Sequence, residues 1–253
     1  MEATASAPFF MHKGLVFHRR SAVGRGMTGP HPLDRPLWTA LNIGLAAFAE
    51  GDVRAMRLNA DYGAFLAAAE PSAECLAAAA ALVAPGERLS MLESDPWPLP
   101  PGTAVAFEAS CDQMIAEAVQ GGVPAFETVA LTDADAAEML ALARLTEPGP
   151  FARRTNRLGG FVGVRDNGRL VAMAGERLRV PGFVEVSGVC THPDHRGRGH
   201  ASALSRLVAT RILARGEQPF LHVYTDNRPT VALYASLGFA FRRTLIHRVI
   251  VRA

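Results

Sequence analysis

The residues with the clearest capacity for chemistry lie at positions 189–201, where an apolar segment leads through a proline turn into a glycine-rich loop. The loop reads Arg196-Gly-Arg-Gly-His-Ala201, and apolar residues at nearly helical spacing follow it as far as Arg215. We therefore expect the loop to open a helix, where free backbone N–H groups and the helix dipole attract an anion. Glycines at 197 and 199 allow a phosphate to approach the main chain closely. The sequence predicts a pyrophosphate cradle.

Two common phosphate-binding motifs are excluded by the residues around this loop. A nucleoside triphosphatase loop ends in Gly-Lys-Ser/Thr, but the only lysine of the chain is Lys13, far from any such loop. A dinucleotide fingerprint needs a third glycine, and Gly199 is instead followed by His200, Ala201 and Ser202. The loop therefore matches neither motif.

A second motif follows about thirty residues downstream, from Asn227 through Tyr234 to Gly238 and Phe239. Together with the loop at 196–201, it resembles the GNAT (GCN5-related N-acetyltransferase) superfamily, whose members bind acetyl-coenzyme A. The resemblance covers residues 126–253, and around 188–201 the sequence is also similar to the glycine N-acyltransferase branch. It implies the acyl-CoA N-acyltransferase fold and an acyl transfer to an amine.

The resemblance also assigns roles to particular residues. In the superfamily the strand before the loop separates from its neighbour, and its freed backbone pairs with pantetheine and directs an N–H at the thioester carbonyl. Tyr234 matches the phenol that protonates the leaving thiolate, and Glu185 has the spacing of a strand glutamate that serves as base. The implied cofactor-binding residues are Val189, Cys190, Thr191, Arg196, Gly197, Arg198, Gly199, His200, Ala201 and Asn227.

Other interpretations of these side chains stay open. Glu185 is equally well explained as a paired strand carboxylate, and His192 and His222 are alternative bases that also suit a turn and a buried strand. Cys190 is not expected to act as a nucleophile, because direct transfer needs no acyl-enzyme and a small thiol packs well. The proline-rich loop at 146–155 lies where the superfamily recognises its acceptor. Arg153 on this loop is expected either to bind a carboxylate acceptor or to be exposed to solvent.

Composition excludes several other functions. The 253 residues are 49% hydrophobic and carry a net charge of +2, which gives no basic excess for nucleic-acid binding. The cysteines, at 75, 111 and 190, are unpaired in spacing, so we expect free thiols, no metal site and a reducing, cytoplasmic location. No apolar run approaches the length of a membrane-spanning helix. Arginine far outnumbers lysine, which indicates a GC-rich genome. We therefore expect a bacterial source.

We expect a mixed α/β sheet arranged as three segments. Residues 1–29 are interpreted as a disordered leader, residues 30–124 as an α/β domain without cofactor, and residues 125–253 as the acetyltransferase domain. The middle segment is either a degenerate half-copy of the same fold or a separate unit that walls the substrate cleft. Within it the pattern predicts a helix over 37–49, a strand over 103–109 and a second helix over 112–119.

The sequence thus predicts an acetyl-CoA-dependent N-acetyltransferase acting on a small-molecule or peptide amine. A non-catalytic acyl-CoA sensor or interaction module is the alternative, and a homodimer is compatible with either.

Overall fold

The computed structural model describes residues 31–122 and 126–252. The predicted leader at 1–29 and the predicted boundary at 124 therefore lie outside the described residues. Residues from His31 onward form one compact unit. Its helices are α1 (Pro36–Asn42), α2 (Ala73–Ala81), α3 (Ala136–Thr146), α4 (His200–Ala214) and α5 (Arg228–Ser236). Its strands are β1 (Ala49–Gly51), β2 (Ala55–Leu58), β3 (Leu66–Ala68), β4 (Arg88–Glu93), β5 (Thr103–Ile115), β6 (Val129–Leu131), β7 (Phe161–Asp166), β8 (Arg169–Val180), β9 (Phe183–Thr191), β10 (Gln218–Tyr224) and β11 (Ala240–Arg252).

The strands form a mixed eight-stranded sheet and a small sheet of β1, β2 and β3. The order of the large sheet is β4-β11-β5-β10-β9-β8-β7-β6, and β9 and β10 are its parallel pair. Strands from both sides of position 124 therefore share one sheet, since β4 and β5 precede that position. The expected mixed α/β sheet is confirmed.

Strand β5 is the main departure from the sequence analysis. The predicted helix over 112–119 is wrong, because Cys111 to Ile115 continue β5 and pair with Tyr224 to Phe220 of β10. The other edge of β5 pairs with β11 along its whole length. Strand pairing on both edges and burial of both faces at 111–114 hold this segment extended, and tertiary pairing of this kind overrides weak local propensity.

The predicted helix over 37–49 is too long. Helix α1 ends at Asn42, and the chain then passes through a short 3₁₀ turn at 46–48 into β1. Gly44 lies against the backbone of Arg179, where a side chain could not fit. The close approach of β8 thus prevents the helix from continuing.

Short turn and cap motifs begin several of these elements. Asn167 and Gly168 both have positive φ, at 49° and 81°, as the two-residue hairpin between β7 and β8 requires. Thr132 and Asp135 form a reciprocal capping box that starts the 3₁₀ turn before α3. Helix α4 follows the glycine-rich loop and packs on β8 and β9. These features depend on neighbouring residues alone.

Apolar layers cover both faces of the large sheet. On one face, α4 and α5 bury a core that includes Leu204, Ile212 and Leu237. On the other face, α1 buries Leu37 and Leu41 against Phe220 and Leu245 of the sheet. Because α1 contacts β8 and β4 of the large sheet, residues before position 124 cover part of this face.

Arg35 fixes the first helix to the sheet. Its guanidinium forms a two-pronged ion pair with Glu93 at 2.8–2.9 Å and also donates to the Ala68 and Ala69 carbonyls. The same group lies between the rings of Trp38 and Trp97. Burial raises the pKa of the Glu93 carboxyl, so the carboxylate depends on this cation to stay ionised.

Arg35→Ala is expected to lower the free energy of unfolding by about 3–5 kcal/mol, because it leaves the Glu93 carboxylate buried without its partner. Urea unfolding at neutral pH measures the loss, and Arg54→Ala, which breaks an exposed pair with Asp52, is the control. The deficit should shrink as the pH is lowered, because a protonated Glu93 needs no cation. If the urea midpoint of Arg35→Ala at neutral pH equalled that of Arg54→Ala, the stabilising role of Arg35 would be contradicted.

Candidate active site

The site begins where β9 and β10 separate. Their parallel pairing covers only Phe183 to Glu185 against Gln218 to Phe220. Beyond it, β9 carries a bulge opposite β8 between Met173 and Gly175, and Gly188 has a φ of +61° there. A β-carbon on Gly188 would lie 2.9 Å from the Phe161 ring. The bulge turns the end of β9 away from β10 and leaves its edge facing a gap, as the resemblance implies.

The glycine-rich loop closes the far end of this gap. Gly197 and Gly199 have φ values of +77° and +78°, and Gly199 is the N-cap of α4 without any side-chain cap. The first N–H groups of the helix therefore lack a side-chain partner and point toward the loop. Both glycines face open space, so their role is the left-handed turn of the backbone. This geometry suits a diphosphate group.

A first cavity of about 420 Å³ runs from this loop along β9 to α5. Its lining includes eight of the ten predicted cofactor-binding residues: Val189, Cys190, Thr191, Arg196, Gly197, Gly199, His200 and Ala201. Within the described residues, three buried polar atoms on its wall have no partner, namely Thr191 Oγ1, His195 Nδ1 and His200 Nδ1. Buried polar atoms are normally paired, so these three fit a polar ligand such as acetyl-CoA.

A second cavity of about 310 Å³ is lined by residues of α1, α5 and several strands of the large sheet. Leu37, Phe65, Leu92 and Cys111, all before position 124, form part of its apolar lining, and Leu178, Val189 and Val223 form another part. Its polar lining includes Arg177, Glu147, His222, Tyr224 and His247. Burial lowers the pKa of His247 to about 4, which makes this imidazole neutral near pH 7.

The two cavities meet at Thr146, Val189, Thr230 and Tyr234, which line both of them. Tyr234 is anchored in the core beside Phe239 and is only 8% exposed. Burial raises the pKa of its phenol to about 12, so the group stays protonated at neutral pH. A protonated donor therefore stands at the junction.

Glu185 is buried beneath this junction and lines neither cavity. Its carboxylate accepts hydrogen bonds from Arg177 at 2.9 and 3.1 Å and pairs with His222 Nδ1 at 2.8 Å. Burial alone would raise the pKa of Glu185, but the Arg177 charge and the His222 contact bring it down to about 2. Glu185 is thus a permanently ionised group that can reach the site only through its neighbours.

The surrounding hydrogen bonds fix the tautomer of His222. Gln113 accepts from Arg242 at 2.9 Å and donates to the Leu33 carbonyl at 3.0 Å, so its amide nitrogen faces His222 Nε2 at 3.1 Å. His222 Nε2 must then accept, and Nδ1 carries the proton that is donated to Glu185. The result is a continuous polar chain from Arg177 to Arg242 through the sheet.

Several predicted residues have other surroundings than expected. Asn227 lines the second cavity and caps α5, with its Oδ1 accepting from Thr230 N at 3.3 Å. The Arg198 guanidinium reaches back to the Asp194 carbonyl. Arg153 forms an ion pair with Asp61 at 2.5 Å, although residues 146–150 of the same loop do line the second cavity.

Cys190 and His192 serve the local structure. Burial raises the pKa of the Cys190 thiol to about 11, and the residue packs with Met139 and Phe161. His192 Nδ1 accepts from the main chain of Asp194, while Nε2 contacts Arg169 at 2.8 Å. Neither side chain has a free nucleophilic or basic atom.

The sequence analysis missed several residues of the second cavity, among them Phe65, Arg177, Tyr224 and His247. The Phe65 ring lies 4.9 Å from the Arg177 guanidinium, and Tyr224 Oη lies 3.3 Å from His247 Nδ1. No local pattern identifies these residues, because strand pairing and packing bring them together from distant parts of the chain.

Neither a metal-binding cluster nor a membrane-spanning helix is present among the described residues. Across residues 31–122 and 126–252, no group of three or more His, Cys, Asp or Glu side chains has an arrangement that could hold a metal ion. Among the helices of the same residues, none combines the length and apolarity needed to cross a membrane.

Gly188→Ala is expected to lower both stability and affinity for acetyl-CoA. The positive φ costs alanine about 1 kcal/mol, and the added methyl group presses on Phe161, so the bulge and the gap beside it must change. Thermal unfolding and calorimetric titration with acetyl-CoA measure the two effects.

Gly182→Ala is the matched control, because Gly182 has a φ of +79° in a turn with open space around it. This variant should lose stability but keep its affinity. Equal affinities of both variants for acetyl-CoA would show that the bulge does not shape the cofactor site.

Comparison with known proteins agrees with this geometry. The FR47-like protein family matches residues 161–247. The N-alpha-acetyltransferase RimI of Mycobacterium tuberculosis is 40% identical over 121 residues, which are 44% of this chain and 75% of that protein. A putative GNAT-family acetyltransferase structure from Novosphingobium aromaticivorans is 44% identical with a TM-score of 0.81, covering 88% of this chain and all of that one.

A GCN5-related N-acetyltransferase from Kribbella flavida shares the fold, with a TM-score of 0.58 and 19% identity over 86% of this chain and 95% of that one. The cofactor loop, the separated strands and the 44% identity over a whole related chain lead to one conclusion. The protein is an acetyltransferase that belongs to the GNAT family.

Proposed function

We propose that the protein transfers an acetyl group from acetyl-CoA to a primary amine by direct attack, without an acyl-enzyme. The proposal is carried by the junction of the two cavities at Val189 and Tyr234. A thioester held along β9 would end where an amine in the second cavity begins. No cysteine or serine nucleophile is needed, because the two reactants meet directly.

Acetyl-CoA, when bound, supplies an activated acyl group on a good leaving thiolate. The chain then contributes two interactions. The β9 edge past Glu185 is unpaired with β10, so its N–H groups can bind pantetheine and stabilise negative charge on the acyl oxygen. The Tyr234 phenol, protonated at neutral pH, can give its proton to the departing sulfur.

Removal of the amine proton is assigned to His222, with Glu185 as a positioning residue. His222 lines the second cavity and Glu185 does not. We propose that the proton passes to His222 Nε2 in exchange for the Gln113 hydrogen bond. The buried Glu185 carboxylate, 2.8 Å from Nδ1, would stabilise the imidazolium that forms.

The proposed acceptor is the α-amine of a polypeptide. It is supported by the 40% identity to an N-alpha-acetyltransferase and by the cavity itself, whose walls are mainly apolar and whose Arg177 is already paired with Glu185. A small neutral side chain next to a terminal amine suits this lining better than a free carboxylate does. We propose that the reaction takes place in the cytoplasm.

The acceptor assignment is tested by thiol release from acetyl-CoA with three sets of amines. They are peptides with a free amino terminus, blocked peptides that contain lysine, and small metabolite amines. Turnover is expected with the first set. Calorimetric binding of acetyl-CoA without turnover in any set would contradict the assignment and favour a sensor.

Tyr234→Phe is expected to lower kcat roughly 100-fold or more while acetyl-CoA affinity stays within a factor of about two, because only the proton donor is lost. Steady-state thiol release and calorimetry measure the two quantities. Tyr62→Phe is the control, since Tyr62 packs on Phe48 and lines neither cavity. An unchanged kcat would remove Tyr234 from the mechanism.

Glu185→Gln and His222→Gln should have different pH–rate profiles. Loss of the Glu185 charge disfavours the imidazolium, so the acidic limb of kcat/KM should move to lower pH. Loss of the imidazole should remove that limb. Because the pKa of Glu185 is about 2, the carboxylate itself cannot cause a limb near neutrality. An unchanged limb in His222→Gln would exclude this relay.

A further inference from the structure

Half of β5 has an open edge. β10 pairs with Cys111 to Ile115, and one further bond joins Thr225 N to the Ser110 carbonyl. Before Ser110, the residues of β5 pair only with β11 among the described parts of the chain. The edge that faces away from β11 therefore carries backbone donors and acceptors over residues 103–109, roughly 23 Å at 3.3 Å per residue.

The alternation of the strand identifies which groups face this open edge. Ser110 directs its carbonyl toward Thr225, so Glu108, two residues earlier, also directs its N–H and carbonyl to that side. The Glu108 side chain leaves the strand on the face of Arg248 and is bonded to it. Its backbone groups are thus available at the open edge.

Of the usual devices that prevent pairing, this edge has a β-bulge at Ala106, where Phe107 and Val105 oppose Val249 and Ile250, but it has no charged or proline-containing sequence that blocks a partner. Residues 103–109 read Thr-Ala-Val-Ala-Phe-Glu-Ala, without proline or lysine, and the single charge is neutralised by Arg248. Val105 and Phe107 are 42% and 45% exposed. Soluble proteins usually protect such an edge, so a long, apolar open one indicates a partner strand.

The open edge continues directly from the second cavity. Cys111 and Tyr224, the last pair of β5 and β10, both line that cavity. The Phe107 ring lies 5.8 Å from the Tyr224 ring and 5.9 Å from the His247 ring, so an exposed aromatic cluster leads from the cavity mouth along β5. A chain that leaves the cavity there meets unpaired backbone next to aromatic rings.

We propose that the polypeptide acceptor binds as an added strand on residues 103–109 of β5, antiparallel to it, with its amino terminus in the second cavity. The direction follows from the topology, because β5 runs toward the cavity and the acceptor runs away from it. Backbone pairing gives affinity with little sequence selection, and Phe107 contacts alternate side chains of the added strand. This inference rests on the proposed α-amine acceptor.

The test compares two pools of amine substrates with amidated carboxyl ends. Each pool contains every amino acid at its first position. One pool is the single residue, and the other is the octapeptide that continues with Ser-Val-Ser-Val-Ser-Val-Ser. With the full-length protein, the octapeptides should have a KM roughly tenfold lower at similar kcat, since a few net backbone hydrogen bonds outweigh the ordering of the chain. Backbone N-methylation should raise KM at alternate positions only.

Variants of Glu108 test the protein side. Glu108→Pro removes the N–H at the open edge and should cancel the octapeptide advantage while leaving kcat/KM for the single-residue pool unchanged. Glu108→Gln is the matched control, because it also removes the charge beside Arg248 but keeps the N–H. Near-wild-type KM for octapeptides is expected with this control.

Four outcomes would overturn the inference. Equal KM values for the two pools would remove the added strand but leave the proposed function intact. Lack of turnover with either pool, while acetyl-CoA binds, would remove the proposed acceptor and this inference together. A dimer that Glu108→Pro converts to a monomer in light scattering would assign the edge to a second copy. If deletion of residues 1–30 lowered the KM for octapeptides, the open edge would be assigned to binding that segment of the same chain.

Discussion

The structure depends on the early end of a single strand pairing. β9 and β10 are hydrogen-bonded only as far as Glu185 and Phe220, and the Gly188 bulge then turns β9 away. Parallel strands in the middle of a sheet normally stay paired, because unpaired buried backbone groups cost free energy. Here the separated edge faces the first cavity, where water or a ligand can pair with its backbone groups. The gap, the helix N-terminus at its end and the tyrosine at its mouth follow from that one separation.

A row of buried, hydrogen-bonded polar side chains lies where β9 and β10 separate. Glu185 stands at the last paired position and holds Arg177 and His222, and Gln113 extends the contacts to Arg242 and Asp34. Burying so many charged groups is favourable only when each has a partner, and this row satisfies them in sequence. It ties β8, β9, β10, β5 and β11 together where the sheet opens. The Glu185 carboxylate therefore orients the Arg177 and His222 side chains, in addition to its proposed effect on the charge of His222.

The glycine-rich loop and the α5 segment were predictable from sequence, whereas much of the lining of the second cavity was not. The loop at 196–201 and the segment from Asn227 to Phe239 are local motifs whose residue types are set by a helix N-terminus and a short helix, so they can be recognised without knowing the fold. Glu185 was found for its spacing, but its partners are eight residues before it and 37 after it, beyond any local pattern. Residues 112–115 were interpreted as part of a helix because strands buried on both faces lose their alternation.

The two cavities take part of their lining from different segments of the chain. The first cavity is lined by β9, the glycine-rich loop, α4 and α5, together with Thr146 of α3. Part of the lining of the second cavity, namely Leu37, Phe65, Ser90, Leu92 and Cys111, precedes these elements in the chain. Leu37, Phe65 and Cys111 can therefore be replaced without touching a cofactor contact, provided that β5 keeps its place between β10 and β11. Under the proposed function, these residues are the positions at which selectivity between amines can be altered without changing a cofactor motif.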